Sequence, residues 1–230
     1  MNSLEKLVKN KRVALVGPSP HLVGSNLGDK IDSFDIVCRI NEVLFAKKLR
    51  KDYGSRTDIC FWNMGTAHLK EFSFMVNESK EEFDNVKLVV CPRHSLHVTP
   101  YHLQNFSPER NVFKNFESLN LDKKFFHIGD EKNIEFENAI GCHASIGSLA
   151  IMMLCEYDLK ELYICGMSFY QTSMRYHDEE IEFFNNVVKK DVKPHTPGGH
   201  NSQVELRYFR ENLKKYPFVT GDYYFKKLFT

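Results

Sequence analysis

The sequence lacks the long apolar runs that mark secreted or membrane-spanning chains. Its longest apolar run, Leu149–Cys155, is far below the ~20 residues needed to cross a bilayer. Its first residues contain no apolar stretch of signal-peptide length. It also lacks a charge excess: the formal net charge is +1, whereas a nucleic-acid-binding protein would present a basic face. We therefore expect a soluble, cytoplasmic protein without a nucleic-acid partner.

Closely spaced cysteines are also missing, although the chain contains 6 cysteines. No C-x-x-C pair occurs, and most of the cysteines lie inside apolar segments. This distribution is typical of buried free thiols and unlike a disulfide framework or a zinc site. We therefore expect no structural disulfide and no metal held by these thiols.

Short apolar segments alternate with segments of helical period, and this alternation predicts the fold class. The length of 230 residues and the 42% hydrophobic content suit one domain, spanning residues 1–230, with a substantial core. Helices are expected at Ser148–Glu156 and Gln203–Lys215. The expected strands are Arg12–Val16, Ile36–Cys38, Thr57–Trp62, Val86–Cys91, Phe125–Ile128 and Leu162–Gly166. The prediction is an α/β fold, a single Rossmann-like domain with a mostly parallel central sheet flanked by helices.

Ligands of such sheets bind beyond the carboxyl ends of the strands, where Gly17, Ser19, Asn41, Asn63 and Gly166 are expected to lie. Glycine at position 17 would let the backbone approach a ligand, and the hydroxyl of Ser19 could bind a phosphate or a ribose. The side-chain amide of Asn41 could bind a phosphate oxygen or the edge of a pyrimidine. An ordinary strand-to-loop turn is the alternative, and the absence of G-x-G-x-x-G disfavours a dinucleotide site.

Ser145 is the candidate N-cap of the buried helix. With Ser145 in that position, the N–H groups of Ile146 and Gly147 would face an anion, as the first N–H groups of a helix do. Gly147 would keep side-chain bulk away from that anion. An ordinary capped helix without a ligand remains the alternative.

His200 follows a turn and stands five residues before Glu205. A histidine can take a proton from a sugar hydroxyl at neutral pH, and a nearby carboxylate can orient its ring. His177 and His195 are further candidates. The five-residue spacings from His195 to His200 and from His200 to Glu205 do not match the i, i+4 spacing of paired zinc ligands on a helix. For each histidine, a surface position without function is the alternative.

The segments near the carboxyl terminus allow two weaker predictions. The segment 170–199 is polar and contains two prolines, which indicates a loop that could cover the site. The basic and aromatic stretch 208–229 is a candidate for peripheral contact with a membrane-borne acceptor. Packing of this stretch into the core is the alternative.

Taken together, the segments above resemble the sialylmotifs of the sialyltransferase family, glycosyltransferase family 29, in a short, soluble, bacterial- or virus-like form. Val13–Asn41 with Asp52–Thr57 resembles the large motif. Ser145–Gly166 contains the parts that resemble the small motif, and His200–Glu205 matches the very short H-x4-E motif. The motifs follow one another in the family's order.

The resemblance implies a GT-A-variant fold and an inverting transfer of sialic acid from a CMP-sugar donor to a glycan or glycolipid acceptor. By position, Asn41 would contact CMP, and Ser145 and Gly147 would hold its nucleotide or phosphate region. His200 would be the general base, and Glu205 would support its motif. The family's reaction needs no metal or other cofactor, in agreement with the absence of a D-x-D pair.

A third family motif carries a histidine that helps the phosphate to leave, and His177 is the closest match in place, with His195 as its competitor. Pro18 and His21 stand where the family commonly has asparagines. Nucleotide-binding amides are therefore missing, and His21 is the candidate that replaces one of them. Two other functions stay open: transfer from another CMP-activated ulosonic acid such as Kdo, and nucleotide binding without catalysis.

Overall fold

The structure is a computed structural model that describes residues 1–41, 49–65, 69–78, 80–97, 99–101, 111–169, 171 and 200–229. Its strands are β1 (Arg12–Val16), β2 (Ile36–Ile40), β3 (Ile59–Phe61), β4 (Leu88–Cys91), β5 (Phe125–His127), β6 (Glu161–Cys165) and β7 (Val219–Gly221). Its α-helices are α1 (Ser3–Val8), α2 (Gly28–Asp32), α3 (Arg50–Tyr53), α4 (Leu69–Glu78), α5 (Lys80–Asp84), α6 (Val112–Ser118), α7 (Asp130–Ile140), α8 (Ile146–Cys155), α9 (Ser202–Asn212) and α10 (Tyr223–Phe229).

The strands form one parallel sheet in the order β5-β4-β3-β2-β1-β6-β7. From β1 to β5 the chain adds each new strand to one edge, and it then returns to place β6 against the other side of β1. The direction of winding therefore reverses between β1 and β6. In open α/β sheets this reversal opens a crevice at the carboxyl ends of the strands.

The central strands are buried on both faces, because their side chains point alternately to opposite sides. Val13 and Leu15 of β1 join the core under α1, α7, α8, α9 and α10. Ala14 and Val16 face the other side, where α2 and α3 cover one half of the sheet. Helices α4, α5 and α6 cover the other half of that side. The short apolar segments that predicted the strands are a consequence of this burial on both faces.

The predicted fold class is confirmed, and the differences are local. Strand β2 runs on to Ile40 because Arg39, which interrupts its apolar pattern, is itself buried. Strand β7 was missed, since it is a short edge strand with a half-exposed start. The predicted helix Gln203–Lys215 is α9 followed by a 3-10 turn over Leu213–Lys215. The prediction of a single domain over 1–230 stays a prediction.

All six cysteines are buried free thiols, as the sequence predicts. Burial raises the pKa of Cys91, Cys142 and Cys155 to about 12, so these thiols stay protonated at neutral pH. Among the described residues, no helix combines the length and the apolar character needed to cross a membrane.

In the stretch proposed for membrane contact, Phe209, Leu213 and Phe225 are buried in the core. Tyr223, by contrast, is 83% exposed. The core-packed alternative therefore describes most of this stretch, and only its exposed side chains are left for contact with a membrane. The predicted lid over 170–199 lies almost entirely outside the described residues.

The backbones of β1 and β6 come very close just beyond their carboxyl ends. The amide of Gly17 donates to the carbonyl of Cys165 at 2.8 Å, and that of Ser19 donates to Gly166 at 2.9 Å. Gly166 has a φ of +64°, and a Cβ at either glycine would overlap the backbone of the other. Glycine is required at both positions because only hydrogen fits between the two chains.

We expect Gly166→Ala to lower the free energy of unfolding by about 2–5 kcal/mol, because backbone strain and steric overlap add together. Gly141→Ala is the matched control: Gly141 also has a left-handed backbone, but its Cβ would meet only a Val204 methyl at 3.8 Å. We expect this control to cost about 1–2 kcal/mol. Urea denaturation measures both losses, and equal losses would contradict a close contact between β1 and β6.

Candidate active site

An open cleft lies where the sheet reverses its winding, and part of its empty volume of about 480 Å³ is open to solvent. Residues from the ends of β1, β2 and β6 and from the start of α8 form its wall. They are Pro18, Ser19, Ile40, Asn41, Ser145, Ile146, Gly147, Gly166, Met167, Ser168 and Phe169.

Asn41 lies in this wall directly after β2. Its backbone is left-handed, with a φ of +49°, a conformation that asparagine tolerates better than most residues. Its side-chain Oδ1 is buried and accepts no hydrogen bond within the described part of the chain. A buried acceptor in this condition is costly until a donor reaches it. Asn41 is therefore prepared to bind a ligand that carries an N–H or O–H group.

Phe169, which also lines the cleft, has a left-handed backbone as well, with a φ of +47°. For a bulky side chain this conformation is a genuine outlier, and such outliers concentrate at functional sites. The sequence pointed to the end of β6 as a ligand-facing place, but it gave no sign of strain at this residue. The neighbouring Ser168 is buried and completes this wall.

Ser19 and His21 form a hydrogen-bonded chain beside the cleft. The Oγ of Ser19 lies 2.9 Å from His21 Nδ1. His21 Nε2 lies 3.0 Å from Oδ2 of Asp222, which is buried between β7 and α10. The ring of His21 stacks on that of Tyr224 at 4.4 Å. His21 is therefore behind the cleft wall and reaches the cleft through Ser19.

The start of α8 provides the anion-facing part of the cleft. Ser145 is its N-cap, as predicted, and its Oγ accepts from the N–H of Ser148 at 3.2 Å. Helix geometry leaves the N–H groups of Ile146 and Gly147 without acceptors inside the helix. Gly147 lines the cleft, and a Cβ there would overlap the side chain of Met167. These two N–H groups and the helix dipole favour a negatively charged ligand.

Glu205 connects α9 to this helix start. Its carboxylate is buried and accepts from Ser145 Oγ at 2.7 Å, from the Ser145 N–H at 3.3 Å, and from Ser148 Oγ. Burial raises the pKa of Glu205, and the hydrogen bonds from the two serines oppose that rise. The contact joins the first turn of α9 to the first turn of α8, and so it holds the segment carrying His200 beside the cleft.

His200 precedes α9 and pairs in parallel with His143, which precedes α8. Its Nδ1 lies 2.9 Å from the backbone carbonyl oxygen of His143. A carbonyl can only accept, so Nδ1 carries the hydrogen and the lone pair of the neutral ring is on Nε2. The rings of His200 and His143 stack at 4.8 Å with an interplanar angle of 4°. Both the orientation and the tautomer of His200 are therefore fixed.

A buried charged cluster supports His143 from behind. His143 Nδ1 lies 2.9 Å from Oε1 of Glu137, and Arg93 Nη1 lies 3.2 Å from the same oxygen. Burial raises the pKa of Glu137, but contacts with His143, Thr99 and Arg93 outweigh it and hold the pKa below its ordinary value. Glu137 is therefore an anion at neutral pH, and it fixes the ring that stacks on His200.

Most of the predicted site residues come together. Ser19, Asn41, Ser145–Gly147 and Gly166 line one cleft. Gly17 shapes the cleft from below through its contact with Gly166. Asn63 does not line the cleft: its Oδ1 accepts from the Gly65 N–H at 2.9 Å and forms a local turn.

His177 and His195 lie outside the described residues, so their predicted roles stay predictions. Sequence reasoning missed the supporting residues Arg93, Glu137, His143 and Asp222. The partners of Arg93 and Asp222 are far away in the chain. No spacing in the sequence gave His143 a role. Within the described ranges, no group of three metal-ligating side chains comes together.

The model of glycosyltransferase family 29 (sialyltransferase) matches residues 3–153 of the chain, which include β1–β5 and most of α8. The chain belongs to this family. It is therefore a glycosyltransferase of the sialyltransferase type, as its motifs predicted. No curated protein sequence matches it significantly.

Solved sialyltransferases share the fold. Two variants of the sialyltransferase CST-II in complex with CMP match with TM-scores of 0.54 and 0.55 and identities of 17% and 19%. Each comparison covers 92% of this chain, and 80% and 81% of the solved chains. A mammalian sialyltransferase in complex with Gal-beta-1-3GalNAc-ortho-nitrophenol matches with a TM-score of 0.50 and 16% identity, over 95% of this chain and 71% of the other. The family-29 chain thus has the GT-A-like variant fold of sialyltransferases.

The contact that Glu205 makes between α9 and α8 can be tested by measuring the stability of the protein. Glu205→Ala would leave two buried hydroxyls and one buried N–H without their acceptor, so we expect a loss of about 2–4 kcal/mol in the free energy of unfolding. Glu211→Ala, an exposed change on the same helix, is expected to stay within about 0.5 kcal/mol. Chemical denaturation compares the two variants, and equal effects would contradict a structural role of Glu205.

Proposed function

We propose that this family-29 enzyme transfers sialic acid from CMP-sialic acid to a hydroxyl of a glycan or glycolipid acceptor, with inversion and without a metal, using His200 as the general base. The observation that carries the proposal is the fixed tautomer of His200. Its Nδ1–H is bound to the His143 carbonyl, so the lone pair of the neutral ring is on Nε2, and the bridge to His143 holds the residue near the start of α8.

The cleft provides complementary groups for the CMP part of the donor. The buried Oδ1 of Asn41 needs a donor, and the amino group of cytosine or a ribose hydroxyl can provide one. The N–H groups of Ile146 and Gly147, in the first turn of α8, would bind the phosphate. CST-II complexes contain CMP, which supports a nucleotide of this kind in a fold of this kind.

The chemistry then follows from the direction of attack. His200 Nε2 takes the proton of the acceptor hydroxyl as its oxygen attacks the anomeric carbon. The bond from that carbon to the CMP phosphate breaks on the opposite face, so the configuration inverts. Negative charge grows on the departing phosphate, and the start of α8 stabilises it through N–H groups that are already oriented. His177 and His195 remain the candidates for protonating or binding that phosphate.

The leaving group has a single phosphate, so helix N–H groups can replace a metal clamp, and we propose that no cofactor is needed. We also propose a cytoplasmic location, supported by the six buried free thiols. A membrane-borne acceptor would meet exposed side chains such as Tyr223, which is 83% exposed.

Donor choice tests the function. With a galactose-terminated acceptor, we expect the purified protein to release CMP from CMP-Neu5Ac and not from CMP-Kdo, and a chelator to leave the rate unchanged. Chromatography of CMP and of the extended glycan measures the reaction. Release of CMP from CMP-Kdo alone would show that the enzyme uses Kdo instead of sialic acid. Lack of turnover together with lack of CMP binding by calorimetry would refute the proposal, and strong inhibition by the chelator would refute metal independence.

The base assignment has its own test. We expect His200→Ala to lower kcat by at least ~10²-fold, the scale of general-base catalysis, while the Kd for CMP stays within about twofold. Glu211→Ala is the control, because Glu211 is exposed far along α9 from His200. Unchanged turnover in the His200 variant would contradict its role as the base.

A further inference from the structure

Positive charge is concentrated in one stretch of the chain. Residues 207–229 contain 6 of the chain's 31 lysines and arginines, but only 2 of its 30 aspartates and glutamates. One of these two acids, Asp222, is buried and accepts hydrogen bonds from the N–H groups of Gly166 and Phe225. The other, Glu211, is exposed. Since the whole chain has a net charge of only +1, this excess is a local feature of the surface.

The basic side chains of α9 lie along one side of the helix. Arg207, Arg210 and Lys214 are exposed and stand three and four residues apart, through the end of α9 and into the 3-10 turn that follows it. Leu206 and Phe209, in the same helix, are buried in the core. The helix therefore has an apolar side toward the sheet and a basic side toward solvent.

Helix α10 has the same division. Tyr223 is 83% exposed, and the exposed Lys226 and Lys227 stand three and four residues after it, one turn along the same side. Phe225 is buried and packs on Phe229, with ring centroids 4.5 Å apart. An exposed aromatic ring with lysines one turn away is typical of helices that lie at a membrane–water interface.

The basic sides of α9 and α10 adjoin each other. Arg210 Nε donates to the backbone carbonyl of Leu228, in the last turn of α10, at 2.7 Å. The ring of Phe169 contacts both helices, with its centroid 5.3 Å from that of Phe209 and 6.0 Å from that of Phe229. Both helices cover the same side of the sheet, so their exposed sides face away from it together. We call this area the basic surface; it consists of Arg207, Arg210, Lys214, Tyr223, Lys226 and Lys227.

The basic surface begins beside the cleft. Asp222, directly before α10, accepts at 2.9 Å from the N–H of Gly166, which lines the cleft. The ring of Tyr224 stacks at 4.4 Å on that of His21, in the turn that follows β1. A partner that contacts α10 would therefore lie next to the cleft.

We propose that the basic surface docks this protein on a membrane that contains anionic lipids, with the Tyr223 ring at the level of the headgroups and the basic side chains against the lipid phosphates. Lipid phosphates complement the charge of the surface, and each lysine or arginine near them adds to the attraction. The exposed ring favours a membrane over a soluble polyanion, because an amphipathic ring is stabilised where apolar lipid meets water.

The proposal goes beyond the acceptor contact proposed above, because it names the lipid charge and the side chains that recognise it. It does not depend on which sugar the enzyme transfers, since docking can be measured without any substrate. Failure of the proposed reaction and failure of docking are therefore separate results.

Vesicle sedimentation with the 230-residue protein tests the proposal. The probes are vesicles of phosphatidylcholine alone and vesicles in which phosphatidylglycerol replaces part of it. We expect binding to the anionic vesicles to be at least about tenfold stronger. This difference should disappear at about 1 M NaCl, where the Debye length falls to about 3 Å. Equal binding to both kinds of vesicle, or binding to dextran sulfate without binding to vesicles, would overturn the proposal.

Charge-reversal variants locate the docking surface. Lys214→Glu combined with Lys226→Glu changes one exposed lysine beside each of the two helices, and we expect it to weaken binding to anionic vesicles by about tenfold or more. Lys114→Glu combined with Lys124→Glu is the control. These two lysines are also exposed and lie on α6 and directly before β5, so the net charge changes equally, and we expect binding within about twofold of the wild type.

Tyr223→Ser tests the ring separately. We expect it to weaken vesicle binding by about threefold or more while the salt dependence remains. Thermal unfolding checks that each variant is folded, which is expected because all the changed side chains are exposed. Equal losses in the two double variants, or full affinity in Tyr223→Ser, would contradict docking through the basic surface.

Discussion

The site depends on one buried carboxylate. Glu205 accepts from both serines in the first turn of α8, and it stands five residues after His200. A carboxyl group at this depth is tolerated only because donors surround it. Those donors belong to the same turn whose N–H groups line the cleft. One set of hydrogen bonds therefore fixes the proposed base and the anion-facing wall relative to each other, although 57 residues separate His200 from His143.

The chemistry of the site is controlled by acceptors that cannot donate. A backbone carbonyl decides which nitrogen of His200 carries hydrogen, and the Asp222 carboxylate does the same for His21. The Glu137 carboxylate faces Nδ1 of His143. Each acceptor removes the ambiguity that makes imidazole adaptable. The result is a set of rings held in place: His200 stacks on His143, and His21 is held between Ser19 and Asp222.

The sequence predicted the features that depend on residues close together in the chain. Short apolar segments predicted most of the strands. The rule that ligands bind beyond strand ends predicted Ser19, Asn41 and Gly166 as cleft residues. The N-cap of α8 was predicted because capping is decided within four residues. The partner of His21 could not be predicted, since Asp222 is 201 residues away and follows a strand too short to leave a pattern. Asn63 shows the limit of the strand-end rule: its side chain turns back on its own loop.

The strand order also determines when, during folding, the cleft can exist. Strands β2 to β5 each pair with the strand that precedes them in the chain, so the part of the sheet from β1 to β5 can form as it leaves the ribosome. Strand β6 must return across 149 residues to pair with β1, as in Arg12 with Glu161, and β7 adds to it later still. Contacts of such sequence separation form slowly. Because Gly166, His200 and Asp222 all belong to this late part, a nascent or nicked chain could keep much of its sheet and still lack a complete cleft.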